Sequence, residues 1–154
     1  MNKFGGLIIL SIAGLLVLSV TEAATAARRH TRTILREEVL SPLAFTSAQA
    51  ADGRTKFLST CSLCHRANLS GGFGPPLKGT AFTQKWFSGN VGTMFSFIKT
   101  NMPKSAPGTL NDDEVSSLIA FISSANGKVA GNAMLPTDVP ALSSMGFDQP
   151  SPSP

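Results

Sequence analysis

The sequence predicts an all-α domain, because three of its stretches carry the spacing or the end signals of helices. They are residues 50–61, residues 90–101 and residues 111–127. In the first stretch, positions four residues apart fall on one helix face. Each of the other two stretches begins with an asparagine, Asn90 or Asn111, in the position of an N-cap. No βαβ pattern accompanies them.

The first predicted helix has an unusual glycine. Gly53, Phe57 and Cys61 share one face. Glycine inside a helix is unfavourable by roughly 1 kcal/mol relative to alanine. Its place beside Phe57 therefore predicts a close approach by another helix, for which the last helix of the domain is the candidate, with Phe121 as an aromatic partner.

The last predicted helix has the clearest end signals. Asn111 and Glu114 match a capping box, and Leu110 with Val115 matches a hydrophobic staple. An apolar stripe follows at helical spacing. Gly127 stands where a helix commonly stops.

The N-terminus resembles a secretory signal. Lys3 gives a positive start, residues 7–20 are apolar or small, and Ala24-Thr25-Ala26 is a small-x-small cleavage pattern. We expect residues 1–26 to be a signal peptide and the protein to be exported to the periplasm. An uncleaved membrane anchor is the alternative, because counting from Phe4 nearly suffices for a spanning helix. Cleavage would leave the formal charge at +4.

Two extensions flank the predicted domain, which we place at residues 50–128. Residues 27–49 form a basic linker that could dock on a partner or simply be solvated. Residues 129–154 are rich in proline and serine, lack a helical period and are expected to lie extended.

Both cysteines of the chain lie in the stretch Cys61-Ser62-Leu63-Cys64-His65, so no disulfide framework is available. Two cysteines three apart, followed at once by histidine, form the attachment pattern of a c-type haem. Each thiol would add to a haem vinyl group, and His65 would ligate the iron. The alternatives are a redox disulfide and half of a zinc site. Zinc would need two more ligands, and only His65 and the distant His30 are candidates.

The motif and its surroundings resemble the class I cytochromes c over roughly residues 50–135. The matching pieces are the run from Gly53 through Phe57 to His65 and the loop Gly74-Pro75-Pro76-Leu77. The resemblance implies a few helices wrapped around one covalently attached haem, with the N- and C-terminal helices crossing. It also implies that the carbonyl of Pro75 accepts a hydrogen bond from His65 and orients its ring.

Two further cofactor-binding residues are implied by the resemblance. Trp86 would pack near a haem propionate, although a purely structural tryptophan is an alternative. Met102, in a Met-Pro pair, would be the second iron ligand. Its competitors are Met94, which is expected in the core, and Met134 and Met145 in the tail.

The function implied is that of a mono-haem electron carrier and not an enzyme. The segment 88–131 is similar to cytochrome domains that accompany quinoprotein (PQQ-dependent) dehydrogenases. Such a dehydrogenase is the expected donor, and an oxidase or another cytochrome the expected acceptor. No nucleic acid partner is expected. Contact with a membrane is expected only if the N-terminal segment is not cleaved. The alternatives are a haem enzyme or gas/peroxide sensor with a displaceable methionine, and a structural haem subunit of a larger complex.

A basic rim is expected around the haem. It would steer an acidic partner, unless its lysines are merely solvated. Its members are Lys78, Lys85, Lys99 and Lys104.

Overall fold

The computed structural model describes residues 40–149. The predicted signal peptide, most of the basic linker with His30, and the last five residues lie outside this range. Within it the chain forms six helices and two very short strands. In chain order these are β1 (Ser41–Pro42), α1 (Ser47–Thr60), α2 (Ser62–His65), α3 (Thr80–Trp86), α4 (Val91–Asn101), α5 (Asp112–Ala125), α6 (Val139–Ser143) and β2 (Met145–Gly146).

The helix that leads to the cysteine motif begins three residues earlier than predicted. Thr46 is its N-cap, and its side chain accepts a hydrogen bond from the backbone N–H of Gln49 at 3.1 Å. Such a cap satisfies one of the N–H groups that the first turn leaves without a partner. Cys61 ends α1 by donating its backbone N–H to the carbonyl of Phe57 at 2.8 Å.

α1 and α5 cross in close contact, as the sequence predicted. A methyl group built on Gly53 would lie 1.8 Å from the backbone oxygen of Ser117. The rings of Phe57 and Phe121 meet at the same crossing, with centroids 5.2 Å apart. Gly53 is therefore needed because it lets the two backbones approach.

The ends of α5 follow the sequence signals. Asn111 and Glu114 form the reciprocal capping box, with both hydrogen bonds at 2.9 Å. Gly127 has φ +86°, and Lys128 donates its backbone N–H to the carbonyl of Ser123, as in a helix end closed by a left-handed residue. The predicted cap and stop are confirmed.

An ion pair at the start of α5 reaches back to α1. The ammonium of Lys56 pairs with the carboxylate of Glu114. Hydrogen bonding from Lys56, followed by that from the Asn111 backbone, lowers the pKa of Glu114 below its usual value. The capping box and the helix crossing are thus linked by one carboxylate.

The C-terminal tail differs from the expected extended segment. Its residues 139–143 form α6, and Leu135, Leu142 and Phe147 are buried at 2% exposure or less. Leu43 and Phe45, in the predicted linker, are buried as well. The packed unit is therefore larger than residues 50–128, because apolar side chains from both extensions complete its core.

Specific contacts fasten this tail to the rest of the domain. β2 pairs with β1 in parallel, and the rings of Phe147 and Phe87 stack with centroids 4.3 Å apart. The buried side chain of Gln49 donates to the carbonyl of Leu135 at 2.9 Å and accepts from its N–H at 2.8 Å. The tail backbone thereby gains partners that no regular helix or sheet supplies.

One buried hydroxyl on α5 has no hydrogen-bond partner within residues 40–149, that of Ser123. Leaving such a group unsatisfied costs about 1–3 kcal/mol. We expect Ser123→Ala to leave the free energy of unfolding unchanged or raise it by about 1 kcal/mol. The measurement is denaturant unfolding of the haem-loaded protein.

Ser116→Ala is the matched control, because the hydroxyl of Ser116 donates to the carbonyl of Pro136 on the tail. That substitution should lower the free energy of unfolding by about 1 kcal/mol. If the two variants lose equal stability, Ser123 has a partner in solution and the interpretation is wrong.

No helix within residues 40–149 has the length and the apolar composition needed to cross a membrane.

Candidate haem site

The cysteine motif lies on the turns that end α1 and form α2. The backbone N–H groups of Cys64 and His65 both donate to the carbonyl of Cys61, at 3.2 and 3.0 Å. The two cysteines and the histidine are therefore held on one tight helical turn. Both thiols are free, with Cys64 exposed and Cys61 partly buried.

His65 is buried and its ring is oriented by the following loop. Its Nδ1 lies 2.8 Å from the carbonyl oxygen of Pro75, the contact that the resemblance implied. A carbonyl only accepts hydrogen bonds, so Nδ1 carries the proton in this arrangement. In the neutral imidazole, Nε2 is then the nitrogen without a proton, the form that binds a metal.

Gly74 is a site residue whose individual role was not predicted from the sequence. A methyl group built on it would lie 2.6 Å from Cε1 of His65, so a larger side chain would displace the ring. Its backbone N–H also donates to the carbonyl of Cys64 at 2.9 Å. The only available signal was its place directly before Pro75.

Asn126, at the end of α5, is a second missed residue. Its side-chain amide donates to the carbonyl of Leu77 at 2.9 Å, and its oxygen accepts from the N–H of Gly79 at 3.1 Å. These bonds tie the loop that carries Pro75 to the helix that crosses α1. The loop is therefore held at both of its ends, by the motif and by α5.

The two thiols differ in environment. Burial raises the pKa of Cys61 to about 11, the nearby Lys56 opposes the rise, and Cys64 adds to it. Without a bound group, the Cys61 thiol is therefore protonated at neutral pH. A redox thiol normally shows the opposite shift, so the environment of Cys61 does not resemble that of a disulfide oxidoreductase.

Trp86 is the last residue of α3 and packs against α4. Its ring lies 4.9 Å from that of Phe97, and the ammonium of Lys85 stands 5.4 Å from its centroid. Among the described residues, its indole N–H has no hydrogen-bond partner. This donor is free to meet a carboxylate, as the predicted propionate contact requires.

Met102 follows the last residue of α4. Its backbone N–H donates to the carbonyl of Ile98 at 3.0 Å, and its side chain is partly buried. Met94 is buried at 2% exposure in the core, as expected, whereas Met134 is 67% exposed. The structure joins His65 and Pro75 directly, and α4, the helix that packs on Trp86, has Met102 as its C-cap.

These residues fit a haem. Two free thiols, a fixed imidazole with an unprotonated nitrogen and a thioether form the donor set of a c-type haem centre. Leu63, inside the motif, and Phe73, beside Gly74, are 83% and 94% exposed, so apolar surface borders the site. Within residues 40–149, no group of three or more His, Cys, Asp or Glu side chains is arranged to hold a metal ion.

A comparison with protein families matches residues 48–122 to the family described as cytochrome c oxidase, cbb3-type, subunit III. The match covers just under half of the chain and runs from α1 into α5, so it includes the motif, the loop and the helix crossing. No curated protein and no solved structure matches the chain.

Residues 48–122 are similar to a cytochrome c domain, and the mostly helical architecture is consistent with an all-α class I cytochrome fold. This similarity supports a haem electron-transfer protein, with haem c as the implied cofactor.

Proposed function

We propose that the chain is a mono-haem cytochrome c that carries one electron at a time. The observation that supports this best is the fixed imidazole of His65, with Nδ1 bound to the carbonyl of Pro75 and Nε2 free. His65 lies on the same helical turn as the two free thiols of Cys61 and Cys64. One motif makes one haem, and no second cysteine pair exists in the sequence.

The residues divide the work as follows. Cys61 and Cys64 would hold the haem through two thioether bonds, and His65 and Met102 would each supply a ligand to the iron. Pro75 and Gly74 fix the plane of the imidazole, and Trp86 would donate its indole N–H to a haem propionate. When bound, the haem supplies reversible one-electron exchange. A thioether from Met102 favours the reduced state and raises the reduction potential.

Two protein ligands on the iron would leave no coordination position for a substrate. The proposed role is therefore electron transfer without bond chemistry, and the residues around the haem set its potential. A haem enzyme or sensor would require easy displacement of Met102, and carbon monoxide binding distinguishes that case.

The proposed donor is a quinoprotein-type dehydrogenase, on the similarity of residues 88–131 to the cytochrome domains of such systems. The proposed acceptor is an oxidase or another cytochrome. The description of the matched family, which names an oxidase subunit, supports an oxidase as one partner. The signal-like residues 1–26 support a location in the periplasm, with a membrane anchor as the alternative.

Three of the four lysines in the basic rim are exposed, and the fourth forms an ion pair. Lys78, Lys85 and Lys104 are exposed, whereas the ammonium of Lys99 pairs with Asp112 at 2.7 Å. We therefore propose that the three exposed lysines steer an acidic partner. Steering of this kind weakens as salt screens the charges, with a Debye length of about 8 Å at physiological ionic strength.

Oxidation of the reduced protein by ferricyanide tests both electron transfer and steering. We expect one equivalent of ferricyanide to oxidise one protein. Because ferricyanide is an anion, the rate constant should fall roughly tenfold between low and high salt. Neutralising the three exposed lysines to glutamine should remove most of this dependence.

The control is Lys128→Gln, because Lys128 lies over the ring of Phe87, at 5.5 Å, and outside the proposed rim. It should keep most of the salt dependence. A rate constant that does not change with salt in the unaltered protein would refute the steering proposal. Oxidation that requires more than one equivalent would refute the one-electron carrier.

A further inference from the structure

The segment between α4 and α5, residues 102–111, carries Met102 and is called here the methionine loop. Its own hydrogen bonds are local. Ala106 donates its N–H to the carbonyl of Pro103 at 2.9 Å, and the hydroxyl of Thr109 donates to Ala106 at 2.8 Å. Within residues 40–149, the hydrogen bonds of residues 103–109 all stay inside the loop. The position of the loop therefore depends on its two ends.

One side chain connects these two ends. Lys99 lies in the last turn of α4, three residues before Met102. Its ammonium donates to the carbonyl of Leu110 at 2.7 Å and pairs with Asp112 at 2.7 Å. Leu110 is the penultimate residue of the loop and is buried at 3% exposure. Lys99 thus closes the base of the methionine loop.

The two contacts of Lys99 are unequal. Asp112 is 57% exposed, and exposed ion pairs contribute little because water screens them. The bond to Leu110 joins a charged donor to a partly buried backbone carbonyl, and charge-assisted hydrogen bonds are about twice as strong as neutral ones. The carbonyl is therefore the contact that fixes the distance between the loop ends.

We infer that Lys99 is a positioning residue for Met102, because it closes the loop that presents the thioether. The inference rests on the proposed ligand role of Met102. In this account Lys99 acts mainly inside the domain, by keeping Met102 in place against competing ligands. It goes beyond the basic rim, in which Lys99 would be a steering charge.

The chain offers a matched control in Lys56. Like Lys99, Lys56 forms an ion pair with an acidic residue in the first turn of α5, here Glu114. Lys56 lies on α1 and not on α4, however, so its pair with α5 does not span the methionine loop. Lys56→Met removes a similar charge pair and leaves the base of the loop closed.

Imidazole is the probe, because it competes with the thioether for the iron and the loss of the sulfur-to-iron absorption band reports its binding. We expect Lys99→Met to bind imidazole about tenfold more tightly than the unaltered protein. The reason is that the loss of one charged hydrogen bond weakens the hold on Met102, with which imidazole competes. Lys56→Met should stay within about twofold. Lys99→Arg keeps the charge and the donors, so it should fall between the two.

The outcomes separate the two proposals. Equal imidazole affinities in Lys99→Met and Lys56→Met, with a normal sulfur band in the unaltered protein, would overturn the positioning role alone. An unaltered protein without a sulfur band would overturn the ligand role of Met102 and the positioning role with it. If Lys99→Met does not fold, Lys99→Gln, compared with Lys56→Gln, gives the same test.

Discussion

Replacing Met102 by alanine is expected to abolish the sulfur-to-iron absorption band and to let carbon monoxide bind the reduced protein. The reduction potential should fall by on the order of 0.1 V, since axial ligands spread haem potentials over about 0.8 V. The physical reason is that alanine offers no donor atom, and the loss of a thioether removes the preference for the reduced state. Optical spectroscopy and a redox titration measure both effects.

Met134→Ala is the control for this substitution. Met134 is 67% exposed and lies in the tail, so its removal should leave the spectrum and the potential unchanged. If the sulfur band survives in Met102→Ala and disappears in Met134→Ala, the ligand assignment is wrong. Survival in both variants would direct attention to Met145, which packs against the core.

Gly53→Ala is expected to destabilise the protein by about 3 kcal/mol or more, although alanine normally stabilises a helix by about 1 kcal/mol over glycine. The reason is the crossing of α1 and α5. The new methyl group would lie 1.8 Å from the backbone oxygen of Ser117, and a backbone atom cannot move aside as a flexible side chain can. Denaturant unfolding measures the loss.

Gly131→Ala is the corresponding control. No atom lies within 4 Å of the methyl group that it would add, so the free energy of unfolding should change by less than about 0.5 kcal/mol. A Gly53→Ala variant as stable as Gly131→Ala would show that the two helices do not cross at this contact. The packing of Phe57 on Phe121 would then need another explanation.

The helices that the sequence predicted are those with local signals. The capping box of Asn111 and Glu114 and the stop at Gly127 act within one helix, so their pattern can be recognised without knowledge of the fold. The crossing of α1 and α5 was predictable for a related reason. A glycine that is unfavourable in its own helix indicates a contact elsewhere.

The packed tail was not predicted, because its burial depends on contacts far away in sequence. Leu135, Leu142 and Phe147 are spaced too irregularly to show a helical or strand period. α6 itself did have a local signal, since Asp138 caps it by accepting from the N–H of Ala141 at 2.9 Å and Pro140 lies in its first turn. A five-residue helix is too short for periodicity to reveal.

The same distinction between local patterns and contacts made by the fold applies to the residues of the candidate site. The cysteine motif and Pro75 could be read from the sequence and its resemblance to a family. Gly74, Asn126 and Lys99 could not, since their roles depend on which atoms the fold brings near them. The sequence alone predicts Lys99 as one of the surface lysines, and its bond to the carbonyl of Leu110 distinguishes it from them.

The most direct test is the optical spectrum of the protein made in a host that attaches c-type haem, recorded oxidised and reduced, with and without carbon monoxide. We predict one haem that stays bound after denaturation, a low-spin spectrum with a sulfur-to-iron band, and no change on adding carbon monoxide. A spectrum that shifts with carbon monoxide would contradict the closed electron carrier and favour catalysis or sensing. A protein without haem would show that the cysteine motif does not attach one, and it would contradict the proposed function.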